Sequence, residues 1–302
     1  MSAVLVEEGP DKGAIWHFGE PNQEQRALVA GTAFADLSHR AVLTVTGADR
    51  LTWLNDLCTQ EFAKLQPGQW VESLILNAQG HITHQFFAVD DGETVWLHTE
   101  KEKETELLTF LQRMVFMLKV DPQSASATHA VVRAPGAHDE VGGPYAIIPR
   151  NELTDVLQAF AAVHTQVGTW ALEAERVAAH RARILFETDH KSIPNELGFL
   201  NGAVHMKKGC YPGQETVAKV FNLGHPPRRL VLLHLDGSMV HYPVTGAKIF
   251  SGEKEVGYIG TLARHYELGP IALAVIRRTT PLTDVLMVDG VPATQELIVA
   301  AE

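Results

Sequence analysis

The segment Lys207 to Glu215 reads KKGCYPGQE and gathers a thiol, two amines, an amide, a phenol and a carboxylate into nine residues. Gly209 and Gly213 bracket Cys210, Tyr211 and Pro212. Glycine takes positive φ without steric cost and admits close approach of other atoms, so this spacing predicts a tight turn at the thiol. Lys207 and Lys208 place positive charge beside Cys210, which favours thiolate, the nucleophilic and metal-binding form. The residues alone leave two readings open. Cys210 is either a reactive thiol in a loop or a small apolar group packed in a glycine-bounded turn.

The other cysteine, Cys58, continues a helical stripe of Leu51, Leu54 and Leu57 and reads as a buried hydrophobe. Two cysteines in such different settings exclude a disulfide framework and a cysteine-only zinc site. His81 and His84 form an HxxH, with His190, Glu196 and His205 upstream of Cys210. These residues lie on no shared helix face, and 15 histidines produce such spacings by chance, so no metal is expected. Arg228 and Arg229, after Pro226 and Pro227, read as a solvated strand start in preference to a phosphate contact. No phosphate loop, dinucleotide fingerprint or Ser/His/Asp motif is present.

These groups need a scaffold. AVLTVT at 41–46 reads as a strand, followed by Gly47 and a helix with a capping-box spacing at Thr46 to Asp49. VESLILN and HITHQFFAV flank a turn from Asn77 to Gly80, and Asp90, Asp91 and Gly92 turn the chain into TVWLHT, forming a meander. Thr99 and Glu102 open a helix carrying Leu107, Leu111, Met114 and Leu118, ended before Pro122. Further helices are predicted over Asn151 to Val163 and from Thr169 to about Arg183, and ETVAKV reads as a short helix or strand. After about Asn222 the pattern becomes short strands separated by Gly, Pro and Asp-Gly turns, the texture of a small β-barrel or sandwich. The expected organisation is therefore an α/β region with antiparallel strands over residues 1–222 and a β domain over 223–302.

Composition narrows the function classes. Apolar residues make up 45% and charged residues 20%, as in ordinary globular proteins. A net charge of -11 makes nucleic acid an unlikely direct partner. No apolar run approaches the length of a membrane helix and the N-terminus lacks signal-peptide features, so no membrane partner and a cytoplasmic location are expected.

The stretch IPNELGFLNGAVHMKKGCYPGQETVAKV resembles the signature of the YgfZ-type folate-binding family, in which lysine, glycine, cysteine, an aromatic and a variable residue precede Gly-Gln-Glu. Lys208, Gly209, Cys210, Tyr211, Gly213, Gln214 and Glu215 all match. The similarity runs from DLSHRAVLTVTGADRLTWLNDLCTQ to GYIGTLARHYELGPIALAVIRR, and ETDHKSIPNE with NLGHPPRRL resembles the actinobacterial branch. The family is related to the T-protein of the glycine cleavage system, which implies an α+β fold: a multi-lobed ring of antiparallel sheets and helices around a folate channel, with a C-terminal β-barrel. T-proteins carry a catalytic aspartate in the strand after the glycine turn, where His84 is matched here. They also carry a Glu two residues after an Arg, whereas Val177 and Ala178 follow Arg176.

The resemblance implies a tetrahydrofolate-binding protein that supports assembly or repair of iron-sulfur enzymes and is linked through them to tRNA modification. Its partners would be folate and iron-sulfur client proteins or cluster-assembly factors. In that reading Cys210 is the chemical centre, and Lys208 keeps it ionised or neutralises a ligand carboxylate. Tyr211 stacks on the ligand, Gln214 and Glu215 hydrogen-bond to it, Gly213 shapes the loop, and Glu196 and Asn77 line the channel. Two other readings stay open: a folate-dependent enzyme transferring an aminomethyl or one-carbon unit, and a binding scaffold whose thiol senses redox state.

Overall fold

The alternation of residues along the strands sorts one sheet into two faces that do different work. The computed structural model describes residues 3–139, 141–237 and 242–299, which divide into two compact units. The first comprises residues 1–76, 83–171 and 202–212; the second comprises 77–82, 172–201 and 213–302.

In the first unit, a five-stranded sheet has the order Trp70–Leu76, Ile82–Asp90, Thr94–Thr99, Ala41–Thr46, Asp121–Ser124. Ala41, Leu43, Val45, Ile75, Phe86, Ala88, Val95 and Leu97 point to one face. There they form a buried core with residues of the helices Arg50–Leu57 and Glu104–Arg113, including Trp53, Leu54, Leu107 and Leu111. Cys58 lies in this core, as its stripe position predicts. A four-stranded sheet has the order Tyr145–Pro149, His129–Arg133, Ala33–Asp36, Thr165–Gln166, with only the last pair parallel.

In the second unit, six strands close into the predicted barrel: Arg228–Leu235, Gly269–Arg277, Lys254–His265, Lys248–Ser251, Leu286–Val288 and Val291–Leu297. Val231, Leu233, Ile249, Ile259, Ala274 and Ile276 fill its interior. ETVAKV falls within a helix, Gln214–Leu223. The fold is the expected α+β class, with antiparallel sheets, helices and a C-terminal barrel.

Several element ends differ from expectation for local reasons. Asp49 stands at the N-cap of the helix Arg50–Leu57, but no side-chain cap forms, because its carboxylate accepts from the Lys119 N–H at 2.8 Å. Thr99 ends a strand, its hydroxyl donating to the Gln85 carbonyl, and the helix starts at Glu104 after a short 3-10 turn. That helix stops at Arg113; Phe116, at φ 46°, takes the chain into the left-handed region. His180, at φ 60°, likewise follows the helix Thr169–Ala178, which is shorter than predicted. The helix expected over Asn151 to Val163 spans Leu153–Ala161. Among the described residues no helix is long and apolar enough to cross a membrane.

Candidate functional site

Cys210 is exposed, at the surface of the first unit. The Lys208 ammonium next to it in sequence is buried and donates to three backbone carbonyls, those of Asn55, Cys58 and Gln60. An ammonium has three N–H donors, so its hydrogen-bonding capacity is spent on the end of the helix Arg50–Leu57 and the residues after it. Any support it gives Cys210 acts through space. Burial holds the Lys208 pKa below its usual range, against the opposing pull of Cys58, Asp56 and Glu61. The same ammonium lies 5.1 Å from the centroid of the buried Tyr211 ring, whose phenol burial pushes up to about 12. Burial also pushes the Cys58 thiol up to about 12, outweighing the attraction of Lys208, so this thiol is inert at neutral pH.

The two motif glycines have different roles. Gly213 has φ +79°, and a Cβ there would stand 2.6 Å from the Asn77 carbonyl oxygen, so backbone packing demands glycine. Gly209 has neither positive φ nor a neighbour within 4 Å of an added Cβ, contrary to the expectation of a special conformation on both sides of the thiol. Gln214 is half-buried and Glu215 exposed, both in the first turn of their helix. Asn77 closes its own turn: its side-chain oxygen accepts from the Gln79 and His81 N–H groups at 3.0 Å each.

Glu196 is buried in the second unit and accepts from Arg228 through both carboxylate oxygens, at 3.0 and 2.8 Å. The same guanidinium takes Asp189 at 2.6 and 3.1 Å. Burial raises the Asp189 carboxyl, but the hydrogen bonds from Arg228 and neighbouring N–H groups overcome it and hold the group well below the usual carboxylate range. Arg228 is therefore the hub of an ion-pair cluster and not a solvated strand start. Its partner Arg229 is also buried, donating to the carbonyls of Arg278 and Thr280.

The least expected chemistry lies on the second face of the five-stranded sheet. Trp70, Glu72, Gln85, Phe87 and His98 share this face by strand alternation, and Phe87 and His98 are register partners. The His98 ring is stacked on Phe87 at 4.9 Å and met edge-on by Tyr145 at 4.6 Å and Trp70 at 5.6 Å. Gln85 donates to the Glu72 carboxylate, and Arg40 pairs with the buried Glu100 at 2.8 Å while standing over Phe87. His98 is fully buried, yet neither ring nitrogen has a hydrogen-bond partner among the described residues. Burial, reinforced by the Arg40 charge, holds its pKa well below the usual histidine range, so the ring is neutral, with one N–H donor and one acceptor unused. Leaving such atoms unpaired costs on the order of 1–3 kcal/mol each, which a bound ligand's donor and acceptor would recover.

Strand parity puts His84 on the other face of the sheet. Its ring faces the helix side of the sheet, 4.0 Å from the Glu106 carboxylate and 6.2 Å from the Phe110 ring. Burial lowers its pKa to about 4 despite the opposing pull of Glu106. The residue of this strand beside Glu72 is Gln85, so the strand brings an amide, not an aspartate, to the polar face. No group of three His, Cys, Asp or Glu side chains suited to a metal occurs among the described residues.

The α+β fold with antiparallel sheets and a closed barrel has counterparts among known proteins. The fold is that of the glycine cleavage aminomethyltransferases: it matches the aminomethyltransferase T of Bartonella henselae with a TM-score of 0.82 over 99% of this chain and 94% of the other, at 14% identity. Residues 14–141 match the family model of the GCVT N-terminal domain. An iron-sulfur cluster assembly factor IBA57 homolog of Mycosarcoma maydis is 25% identical over 66% of this chain and 56% of its own length. The corresponding protein of Aspergillus clavatus is 22% identical over 78% of this chain and 65% of its own length. The chain thus spans less than two thirds of these two relatives. An aminomethyltransferase of Rippkaea orientalis is 25% identical over 88% of this chain and 85% of its own. Residues 14–141 thus match a GCVT N-terminal domain, and the chain is homologous to IBA57-type factors and aminomethyltransferases.

Proposed function

We propose that this protein binds a reduced folate on the His98 face of its first unit and serves the assembly or repair of iron-sulfur proteins through the exposed thiol of Cys210. The observation that carries the folate reading is the buried, unpartnered imidazole of His98 within a ring of Phe87, Tyr145 and Trp70. A pterin presents a π face to stack and an amide edge with both donors and acceptors, the complement of the donor and acceptor that His98 leaves unused. Glu72 and Gln85 extend the polar edge, and Arg40 contributes positive charge beside Phe87. When bound, a reduced folate supplies an electron-rich ring able to carry one-carbon units.

Tyr211, Gln214, Glu215, Glu196 and Asn77 remain candidates for ligand contact from the sequence motif. The Arg228 pairing of Glu196 and the turn bonding of Asn77 favour structural roles for those two. The iron-sulfur role rests on the IBA57 relatives together with the exposure of Cys210. Aminomethyl transfer by the T-protein route is disfavoured by Gln85, whose amide cannot carry negative charge toward a reacting amine.

The test is thermal unfolding across concentrations of 5-formyltetrahydrofolate. At about 100 times the dissociation constant, one site adds roughly 2.7 kcal/mol. No stabilisation at millimolar ligand overturns the folate reading. Folate-dependent release of ammonia from an aminomethyl-lipoyl carrier would establish the enzyme reading instead.

A further inference from the structure

The segment bearing Cys210 is stitched to the strand bearing Glu72 by a short set of side chains, all within the first unit. Thr59 is fully buried; its hydroxyl donates to the Ala203 carbonyl at 2.7 Å and accepts from the Leu74 N–H at 2.9 Å. Its own N–H and carbonyl continue the bridge, to the Leu74 carbonyl at 3.0 Å and from the His205 N–H at 2.9 Å. Gln60 repeats the pattern one residue on. Its side-chain NH2 donates to the Gly202 carbonyl at 2.7 Å and to the Glu72 carbonyl at 3.4 Å, and its N–H donates to the Ser73 hydroxyl at 3.2 Å. The Gln60 carbonyl then accepts from the Lys208 ammonium at 3.0 Å, two residues before Cys210. Glu72, Ser73 and Leu74 are thereby tied through Thr59 and Gln60 to residues 202–208.

We infer that Thr59 and Gln60 are positioning residues that couple ligand occupancy beside Glu72 to the reactivity of Cys210. This inference rests on the folate reading above. The Gln60 side-chain amide bonds both segments, so a ligand that fixes the Glu72 strand also restrains the loop that carries the thiol. A restrained loop samples fewer geometries in which an electrophile reaches sulfur, and occupancy slows reaction at Cys210. Gln60 suits this role better than the apolar core beneath it. Its two donors leave with a near-isosteric substitution, whereas Thr59 is also needed to satisfy buried backbone groups.

The experiment measures the rate of Cys210 carbamidomethylation by iodoacetamide, with and without saturating 5-formyltetrahydrofolate, alongside the ligand-induced melting shift. In the alkylation step the thiolate sulfur displaces iodide, forming one S–C bond. Wild type is expected to show the melting shift and a labelling rate lowered about five-fold by ligand, at the low end of measured couplings between sites. Gln60→Glu, which replaces the shared donor with an acceptor facing two carbonyls, is expected to keep the melting shift and lose the change in rate. If Gln60→Glu fails to fold, Gln60→Met removes the same donors without adding charge. A melting shift with an unchanged or faster labelling rate in wild type overturns the coupling, as does a change in rate that survives both Gln60 variants. Absence of the melting shift in wild type instead overturns the folate reading, so the two failures are distinct.

Discussion

Two buried polar clusters, one in each unit, contain similar residue types and are read in opposite ways. Around Arg228, Asp189 and Glu196 take four hydrogen bonds from one guanidinium, and Ser192 a fifth, so every charge in the cluster has a partner. Around His98, Glu72 is matched by Gln85 and Glu100 by Arg40, but the imidazole at the centre has no hydrogen-bond partner among the described residues. A satisfied network is complete without a ligand; the unsatisfied one is, in the proposed reading, completed by it. In the proposed reading, unspent hydrogen-bonding capacity, more than the presence of charged or reactive side chains, marks the site.

That contrast is open to direct attack. The largest effect is expected in the satisfied cluster: Glu196→Ala leaves Asp189 as the one carboxylate on Arg228 in that cluster and should cost about 3 kcal/mol, the low end for breaking a buried pair. Urea unfolding measures it, and the folate-induced shift should survive in the folded variant. Loss of the folate response without loss of stability would make Glu196 a ligand residue and erase the distinction.

A smaller effect separates the clusters by pH. His98 and His84 are neutral in the fold, with pKa values held below 6.5 chiefly by burial, whereas the unfolded chain protonates them near 6.5. The unfolded state then binds more protons below that point, and stability falls as pH drops. The loss approaches ~1.4 kcal/mol per pH unit for each group, and for His84 it levels off near its folded value of about 4. Denaturant titrations between pH 7.5 and 5 should show this slope, and His98→Phe should remove its share. An identical slope in the variant would mean that His98 is solvated and not an orphan.

The smallest effect concerns the thiols. Cys210→Ser should change stability by less than ~0.5 kcal/mol, because the side chain is exposed, while iodoacetamide at neutral pH should label Cys210 well before Cys58. First labelling at Cys58, or unfolding of Cys210→Ser, would make Cys210 the structural cysteine.

The barrel was legible because it is local, alternating short strands with turn residues, whereas for Cys210 the sequence left a reactive and a packed reading open and the structure adds that the side chain is exposed. The polar face was not legible, because Trp70, Glu72, Gln85, Phe87, His98 and Tyr145 come from four strands of two sheets and meet only through register and packing. A trace of it was present all the same. Glu72, Gln85 and His98 interrupt otherwise apolar strands at positions of one parity, and reading parity would also have separated Gln85 from His84. Helix ends at Arg113 and Ala178 escaped the pattern because left-handed residues, Phe116 and His180, carry no signature of their own.

The central claim is that His98 is unpaired because a ligand pairs with it, and His98→Phe tests it most directly. Phenylalanine removes both orphan nitrogens and keeps a flat ring, so the ligand-free variant should be as stable as wild type or more so. The account predicts that this well-folded variant loses the stabilisation by 5-formyltetrahydrofolate. An undiminished folate shift in His98→Phe would contradict it.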